Sequence, residues 1–207
     1  IPTTMRLAAA NIVADLPTDT ADPQIDQLIA LGVTTIDAGF TVATSWNEAD
    51  ETISLDEVSV TGADLATVSL TGTLINATEA LFGLDEDDAL AAAMGLAISN
   101  LKLDVTDEGL TDIIFASVAA DQGADPATLR PVFASLAEGT VVGLLAGAAD
   151  AQKVSTAISA FVRGTAKYLS IDMTAKDETG LRLEDFVAAE TDPSALVGKV
   201  DIEASAK

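Results

Sequence analysis

Residues 36–60 read IDAGFTVATSWNEADETISLDEVSV, and the spacing of apolar side chains in this stretch decides the fold. Over residues 36–46 apolar and polar positions alternate, which is the pattern of a strand with one face in a core and one in water. Alternation resumes after residue 51, and its apolar phase shifts by one residue near Asp56 and Glu57, where a β-bulge would explain the shift. One-sided strands of this kind are typical of antiparallel sheets.

The same alternation predicts more strands along the chain, at residues 68–74, 101–105, 169–173 and 199–204. Helical spacing, acidic first turns and Asp-Pro caps predict helices between them, at residues 22–32, 85–98, 110–121, 126–136 and 154–161. This mixed order predicts an α+β fold, a curved antiparallel meander sheet with several helices packed on one face. We expect a single domain, with a β-meander-rich part (1–78), a helix-rich insert (79–165) and closing strands (166–207).

Composition excludes several chemistries. The chain has no histidine and no cysteine, which removes the usual general base, disulfides and nearly all zinc, copper and haem sites. We therefore expect a non-enzymatic protein with no organic cofactor.

Residues 1–100 carry 16 acids and one base, and residues 101–207 carry 17 acids and nine bases, so the net charge of −23 divides into −15 and −8. Nucleic acid is a poor partner for such a surface, whereas a hard cation or a basic protein partner suits it.

Two observations bear on location. No run of 18 apolar residues lacks a charge or small polar interruptions, so we expect no membrane span. The sequence begins IPTT without methionine, which favours a processed N-terminus. A removed export signal would explain it, and we therefore predict a periplasmic location.

The acidic run of residues 46–57 resembles a calcium loop only in part. An EF-hand loop needs glycine at its sixth position and an oxygen ligand at its first. Here those positions hold Glu51 and Trp46, and the flanking segments are predicted strands. A polar turn from Asn47 to Asp50 between two strands is the better interpretation.

Three series of acids are nevertheless candidate ligands for a hard cation, because carboxylate oxygens are what calcium and lanthanide ions prefer. The members are Asp85, Glu86, Asp87 and Asp88, then Asp15, Asp19 and Asp22, and finally Glu48, Asp50 and Glu51. Each series has a simpler interpretation. The first fits the acidic first turn of a helix, the second a solvated connection in which Asp22 caps the next helix, and the third a hairpin turn.

Two stretches resemble a known group of proteins. These are GVTTIDAGFTVATSWNEADETISLDEVSVTGADLATVSLTGTLINAT (32–78) and GLTDIIFASVAADQGADPATLRPVFASLAEG (109–139). They resemble the meander and helical insert of uncharacterised extracytoplasmic proteins of alphaproteobacteria, loosely AsmA-like. The resemblance implies a cell-envelope location and a curved sheet with helices against one face, and it transfers no catalytic residue.

Three functional hypotheses follow. The first is a cell-envelope binding protein that holds calcium or a lanthanide through its carboxylates. The second is a structural or scaffold domain, or a carrier of a small apolar ligand such as a lipid, held between sheet and helices. In the third, the acidity only solvates the surface and a protein partner carries the function.

Overall fold

The fold is an open antiparallel sheet with helices packed mainly at one end, as given by a computed structural model that describes residues 3–19, 21–146 and 148–207. Its strands are β1 (Thr4–Asp15), β2 (Thr35–Asn47), β3 (Thr52–Gly62), β4 (Ala66–Ile75), β5 (Ala97–Asp107), β6 (Tyr168–Ala175), β7 (Leu181–Arg182) and β8 (Val200–Ala206). Its α-helices are α1 (Pro23–Ala30), α2 (Glu86–Gly95), α3 (Leu110–Gln122), α4 (Pro126–Leu144), α5 (Ala151–Arg163), α6 (Leu183–Thr191) and α7 (Pro193–Val197). A short 3₁₀ helix occupies Glu79–Phe82.

The strands follow the order β1-β2-β3-β4-β5-β6-β8, and β7 pairs with β5 beside β6. Every pairing is antiparallel, and the first five strands are spatial neighbours in the order in which they occur in the chain. The predicted α+β class and antiparallel meander are therefore confirmed.

The β2–β3 hairpin is also confirmed. The Asn47 side chain organises its turn, donating to the Asp50 carboxylate at 2.6 Å and accepting from the Ala49 amide at 3.1 Å. This is the local side-chain bonding for which asparagine and aspartate are favoured in turns. The predicted bulge lies where the phase shift placed it, since the β3–β4 register shifts between Leu55 and Val58.

One face of the sheet is apolar across all its long strands. Partner residues in the strand register form a row that crosses seven strands on this face: Ala9, Phe40, Val60, Val68, Val105, Leu169 and Ala206. Burial along the row is uneven, because Leu169 is 7% exposed whereas Val60 is 59% exposed. The helices therefore cover the β5–β6–β8 end of this face and leave much of the β1–β3 end open.

The main core lies where α5 crosses β6 and β8. Its buried members are Val154 and Ala157 from α5, Leu169 from β6 and Ala204 from β8. Val141 of α4 is among the partly buried side chains that pack against them. The helix α5 is suited to this position because its apolar and small residues share one side, and even its buried Ser155 satisfies its hydroxyl on the Gln152 carbonyl at 3.0 Å.

The predicted helix over residues 85–98 is wrong at its C-terminal end. The helix α2 ends at Gly95, and the strand β5 begins at Ala97. Ala97 and Ile98 pair with Ile75 and Leu74 of β4 on one side and with β7 on the other. This pairing bonds their backbone groups across two strand neighbours, and such tertiary pairing overrides the helical preference of an alanine-rich run.

Leu169→Ala is expected to lower the free energy of unfolding by about 2–5 kcal/mol, because it leaves a cavity in the core beneath α5. Leu84→Ala is the matched control, since Leu84 is fully exposed and its truncation should change stability by less than about 0.5 kcal/mol. Urea unfolding of both variants measures the difference. Equal effects of the two substitutions would contradict the assignment of the core.

Candidate functional site

An open apolar groove of about 470 Å³ lies between α3, α4 and α5. None of its ten lining residues is charged, in a chain of which 21% is charged. Three of the chain's six phenylalanines line it, although aromatic residues make up only 4% of the sequence. The lining is formed by Thr111, Ile114, Phe115, Phe133, Leu136, Ala137, Thr140, Val141, Phe161 and Val162.

Helical periodicity explains how the sequence builds this groove. The lining residues of α4 stand at positions 133, 136, 137, 140 and 141, which is the i, i+3, i+4, i+7, i+8 stripe of one helix face. Those of α3 stand at positions 111, 114 and 115, which again share one side of a helix. Two apolar stripes therefore face a common space, and α5 supplies its third side.

Phe115 is the buried phenylalanine of the groove. Its ring is edge-on to the Phe133 ring, with centroids 5.7 Å apart and planes at 77°, the arrangement that aromatic quadrupoles favour. The Arg130 guanidinium lies over the same ring, with its Cζ 4.6 Å from the centroid. At the rim, by contrast, Leu136 is 64% exposed.

The start of α3 is fixed by Asp107, the last residue of β5. Its carboxylate accepts from the Thr111 amide at 2.9 Å, the Thr111 hydroxyl at 2.6 Å and the Lys167 ammonium at 2.7 Å. The Asp107 side chain is only 3% exposed. Because Thr111 also lines the groove, this buried carboxylate positions the helix that forms one groove wall.

Burial of Asp107 would by itself raise the pKa of its carboxyl group, since the charged form loses water. The hydrogen bonds from Lys167 and Thr111 act in the opposite direction and prevail, so the pKa of Asp107 is lowered to about 2. The same contact raises the pKa of Lys167. Both groups are therefore charged over the whole neutral range.

A second acid, Asp112, connects α3 to α4. It accepts from Arg130 at 2.5 Å, and its other oxygen lies 3.5 Å from the Lys167 ammonium. Gly164, at the end of α5 with φ +79°, leaves room for the guanidinium, because a Cβ there would lie 2.8 Å from its Nη1. One end of the groove thus carries two cations and two carboxylates.

The predicted acidic series at the start of α2 lies where its simpler interpretation places it. Asp85 is the N-cap and accepts from the amides of Asp87 and Asp88 at 3.1 and 3.2 Å. Glu86, Asp87 and Asp88 form the first turn, where the helix dipole favours negative charge. All four side chains are exposed.

The series around α1 is spread over the end of a strand, a turn and a helix cap. Asp15 ends β1 and accepts from the Thr35 hydroxyl at 2.9 Å. Asp19 lies in the turn that follows, and Asp22 caps α1 by accepting from the Gln24 amide at 2.9 Å. These three side chains are exposed as well.

The third series lies in the β2–β3 turn, where Glu48, Asp50 and Glu51 are exposed and Asp50 is held by Asn47. Nowhere in residues 3–19, 21–146 and 148–207 do three or more acids come together closely enough to hold a metal ion. Binding of calcium or a lanthanide by these ten acids therefore stays a prediction, and it would need side chains to move together around the ion.

Several functional residues were not identified from the sequence. The sequence does not reveal the groove, because the two patterns are interpreted only as helices and the predicted α4 ends at residue 136, before the lining residues Ala137, Thr140 and Val141. Asp107 is missed because it lies between the predicted strand (101–105) and the predicted helix (110–121) and is assigned to neither. Its signal is present in residues 107–111, DEGLT, where an aspartate four residues ahead of a threonine precedes a helical run.

Comparison with known proteins gives one match. Residues 59–207 match the model of a protein family described as "Uncharacterized protein", which is more than half of the chain. No curated protein and no solved structure matches the sequence. In the part of the chain that the structure describes, no helix has both the length and the apolar character needed to cross a membrane.

Asp107→Asn is expected to lower the free energy of unfolding by about 1–3 kcal/mol at pH 7, because it weakens the bonds to Thr111 and Lys167 in a buried place. The pKa of Asp107 in the fold, about 2, lies below its usual value of 3.8. The stabilisation is therefore complete above about pH 4 and is lost as pH falls towards 2. Urea unfolding from pH 7 down to about pH 3 measures it.

In that experiment the difference between the wild type and Asp107→Asn should narrow below about pH 4. Glu108→Gln is the control, because the neighbouring Glu108 is exposed and its neutralisation should have little effect. A difference between the wild type and Asp107→Asn that stays constant across this pH range would contradict the assigned role.

Proposed function

The chain belongs to this family of uncharacterized proteins, and from the groove that lies within its matched residues we propose that it binds a small apolar ligand of the acyl-chain type. The single observation that carries the proposal is the lining. A chain with 33 acids places no charge along a concave surface that holds half of its phenylalanines. Such concentration of apolar and aromatic residues around a few hydroxyl groups is the usual composition of small-molecule sites.

Size and energetics support a ligand in the groove. Its volume of about 470 Å³ falls within the range of about 300–1,000 Å³ that ligand pockets occupy. Ile114 and Leu136 are 48% and 64% exposed on its walls. Each Å² of apolar surface that a bound acyl chain removed from water would contribute about 25 cal/mol to the free energy of binding. Thr111 and Thr140 offer hydroxyls to a polar group of the guest.

We predict that a fluorescent hydrophobic probe, 1-N-phenylnaphthylamine, binds the wild-type chain saturably and that Leu136→Glu weakens this binding about tenfold or more. The substitution places a charge where the probe would bury apolar surface, and tenfold corresponds to about 1.4 kcal/mol. Because Leu136 is largely exposed, the melting temperature should change little. Fluorescence titration and thermal melting measure the two quantities.

Leu90→Glu is the matched control. Leu90 lies in α2, is 62% exposed and does not line the groove, so the same apolar-to-acid change should leave probe binding as it is in the wild type. Equal loss of binding in both variants would show that the probe reports general surface hydrophobicity. Unchanged binding in Leu136→Glu would rule out the groove as the site.

We also propose a cell-envelope location, a non-enzymatic character and kinship with AsmA-like proteins of alphaproteobacteria. A structural or scaffold role stays the alternative to carrying an apolar ligand. A carrier of apolar molecules suits an envelope compartment, because it must move such molecules through water. A basic protein partner also stays a prediction, for which the net charge of −23 is the support.

Cation binding is a second proposal, supported by the net charge of −15 on residues 1–100. Its test is terbium titration of chelator-treated protein. Glu48, Asp50 and Glu51 lie in the turn that follows Trp46, so bound terbium there should show luminescence sensitised by this tryptophan and should raise the melting temperature. Asp50→Asn should weaken that signal. Absence of both effects at micromolar terbium and millimolar calcium would dismiss the proposal.

A further inference from the structure

Two cations at one end of the groove share one exposed carboxylate. Arg130 and Lys167 both contact Asp112, at 2.5 and 3.5 Å, and the Asp112 side chain is 67% exposed. Arg130 itself is much less accessible, with 14% of its side chain exposed. The pair is thus asymmetric, because a largely buried guanidinium is neutralised by a carboxylate that stands mostly in water.

The Arg130 guanidinium also touches the groove directly. It lies over the ring of Phe115, and its Nη1 donates to the Val162 carbonyl at 3.5 Å. Both Phe115 and Val162 are lining residues. Lys167 reaches the same region through Asp107, whose carboxylate binds the groove residue Thr111. A headgroup at this end of the groove would therefore meet positive charge beside an apolar wall.

The two carboxylates of the cluster differ in how firmly they are held. Asp107 is buried and bonded to Lys167 and to both the amide and the hydroxyl of Thr111. The contacts that the structure gives the Asp112 carboxylate are the two cations, and because this side chain stands mostly in water, solvent screening weakens both pairs. If Asp112 turns into solvent, two positive charges and one negative charge remain, which leaves a net positive site.

We propose that the ligand of the groove is an amphiphile with an anionic headgroup, carboxylate or phosphate, which takes the place of Asp112 between Arg130 and Lys167 while its acyl chain occupies the apolar lining. This inference rests on the proposed function, since it specifies the ligand class of the same groove. Arg130 is suited to the role, because a guanidinium binds carboxylate and phosphate oxygens in a fixed planar geometry.

The simpler explanation of the same contacts is purely structural. In that case the ion pairs among the four charged residues only hold α3 against α4 and the start of β6, and Asp112 contributes to that stability. The two explanations differ in what Asp112→Asn does. Removal of a competing carboxylate strengthens binding of an anionic ligand, whereas removal of a purely structural ion pair only lowers the free energy of unfolding.

The test is calorimetric titration of the full chain with dodecanoate and dodecyl phosphate, each below its critical micelle concentration, and with dodecanol below its solubility limit. Wild type should bind both anions more tightly than dodecanol. Asp112→Asn should bind the anions about fivefold more tightly than wild type, with unchanged affinity for dodecanol. Asp121→Asn is the control, because Asp121 is another exposed acid of α3 and its loss changes the net charge by the same one unit.

Each result has a definite meaning. If dodecanol binds as tightly as the anions, and Asp112→Asn gains no more affinity for the anions than Asp121→Asn does, the anionic headgroup is overturned. The groove then remains the site of an apolar ligand. Absence of binding for all three compounds overturns the groove function and the headgroup with it. If the gain is larger for dodecanoate, the ligand is a fatty acid, and if it is larger for dodecyl phosphate, a phosphorylated lipid; both support the proposal.

Discussion

Asp107 is the constraint on which the part of the molecule that forms the groove depends. A carboxylate with 3% of its side chain exposed must be surrounded by donors, because an unpaired buried charge costs several kcal/mol. Those donors come from the first turn of α3 and from the residue just before β6. The end of β5, the direction of α3 and the approach to β6 are therefore set together, and one wall of the groove follows from this arrangement.

The uneven cover of the sheet is a second consequence of packing. The helix α5 buries the apolar face over β6 and β8, and α4 packs mainly on α5. This leaves α3 and α4 with facing apolar stripes and a space between them, lined by Phe115, Phe133 and Leu136 among others. Apolar stripes that face such a space are costly to leave in water, and a ligand that buried them would offset that cost.

The basic residues are concentrated in one half of the chain. Nine of the ten basic residues lie in residues 101–207, the part of the chain that also builds the groove. The acids predicted as cation ligands lie mainly at helix caps and turns, where Asp22 and Asp85 accept from backbone amides and Asp50 accepts from Asn47. Local hydrogen bonding accounts for their positions, whereas the cations at the groove are held by partners from distant parts of the chain.

The sequence by itself determined the strand faces, the bulge near Asp56, the β2–β3 hairpin and the Asp-Pro helix caps, because each depends on side chains only a few residues apart. Only the tertiary structure decided that Ala97 and Ile98 form a strand, since their partners in β4 and β7 lie far along the chain. The groove, too, was decided only by the tertiary structure. Its stripes are visible in α3 and α4, but the gap between them arises from the positions in which Asp107 and α5 hold the helices. Periodicity fixes which side chains share a face, and only packing fixes what that face meets.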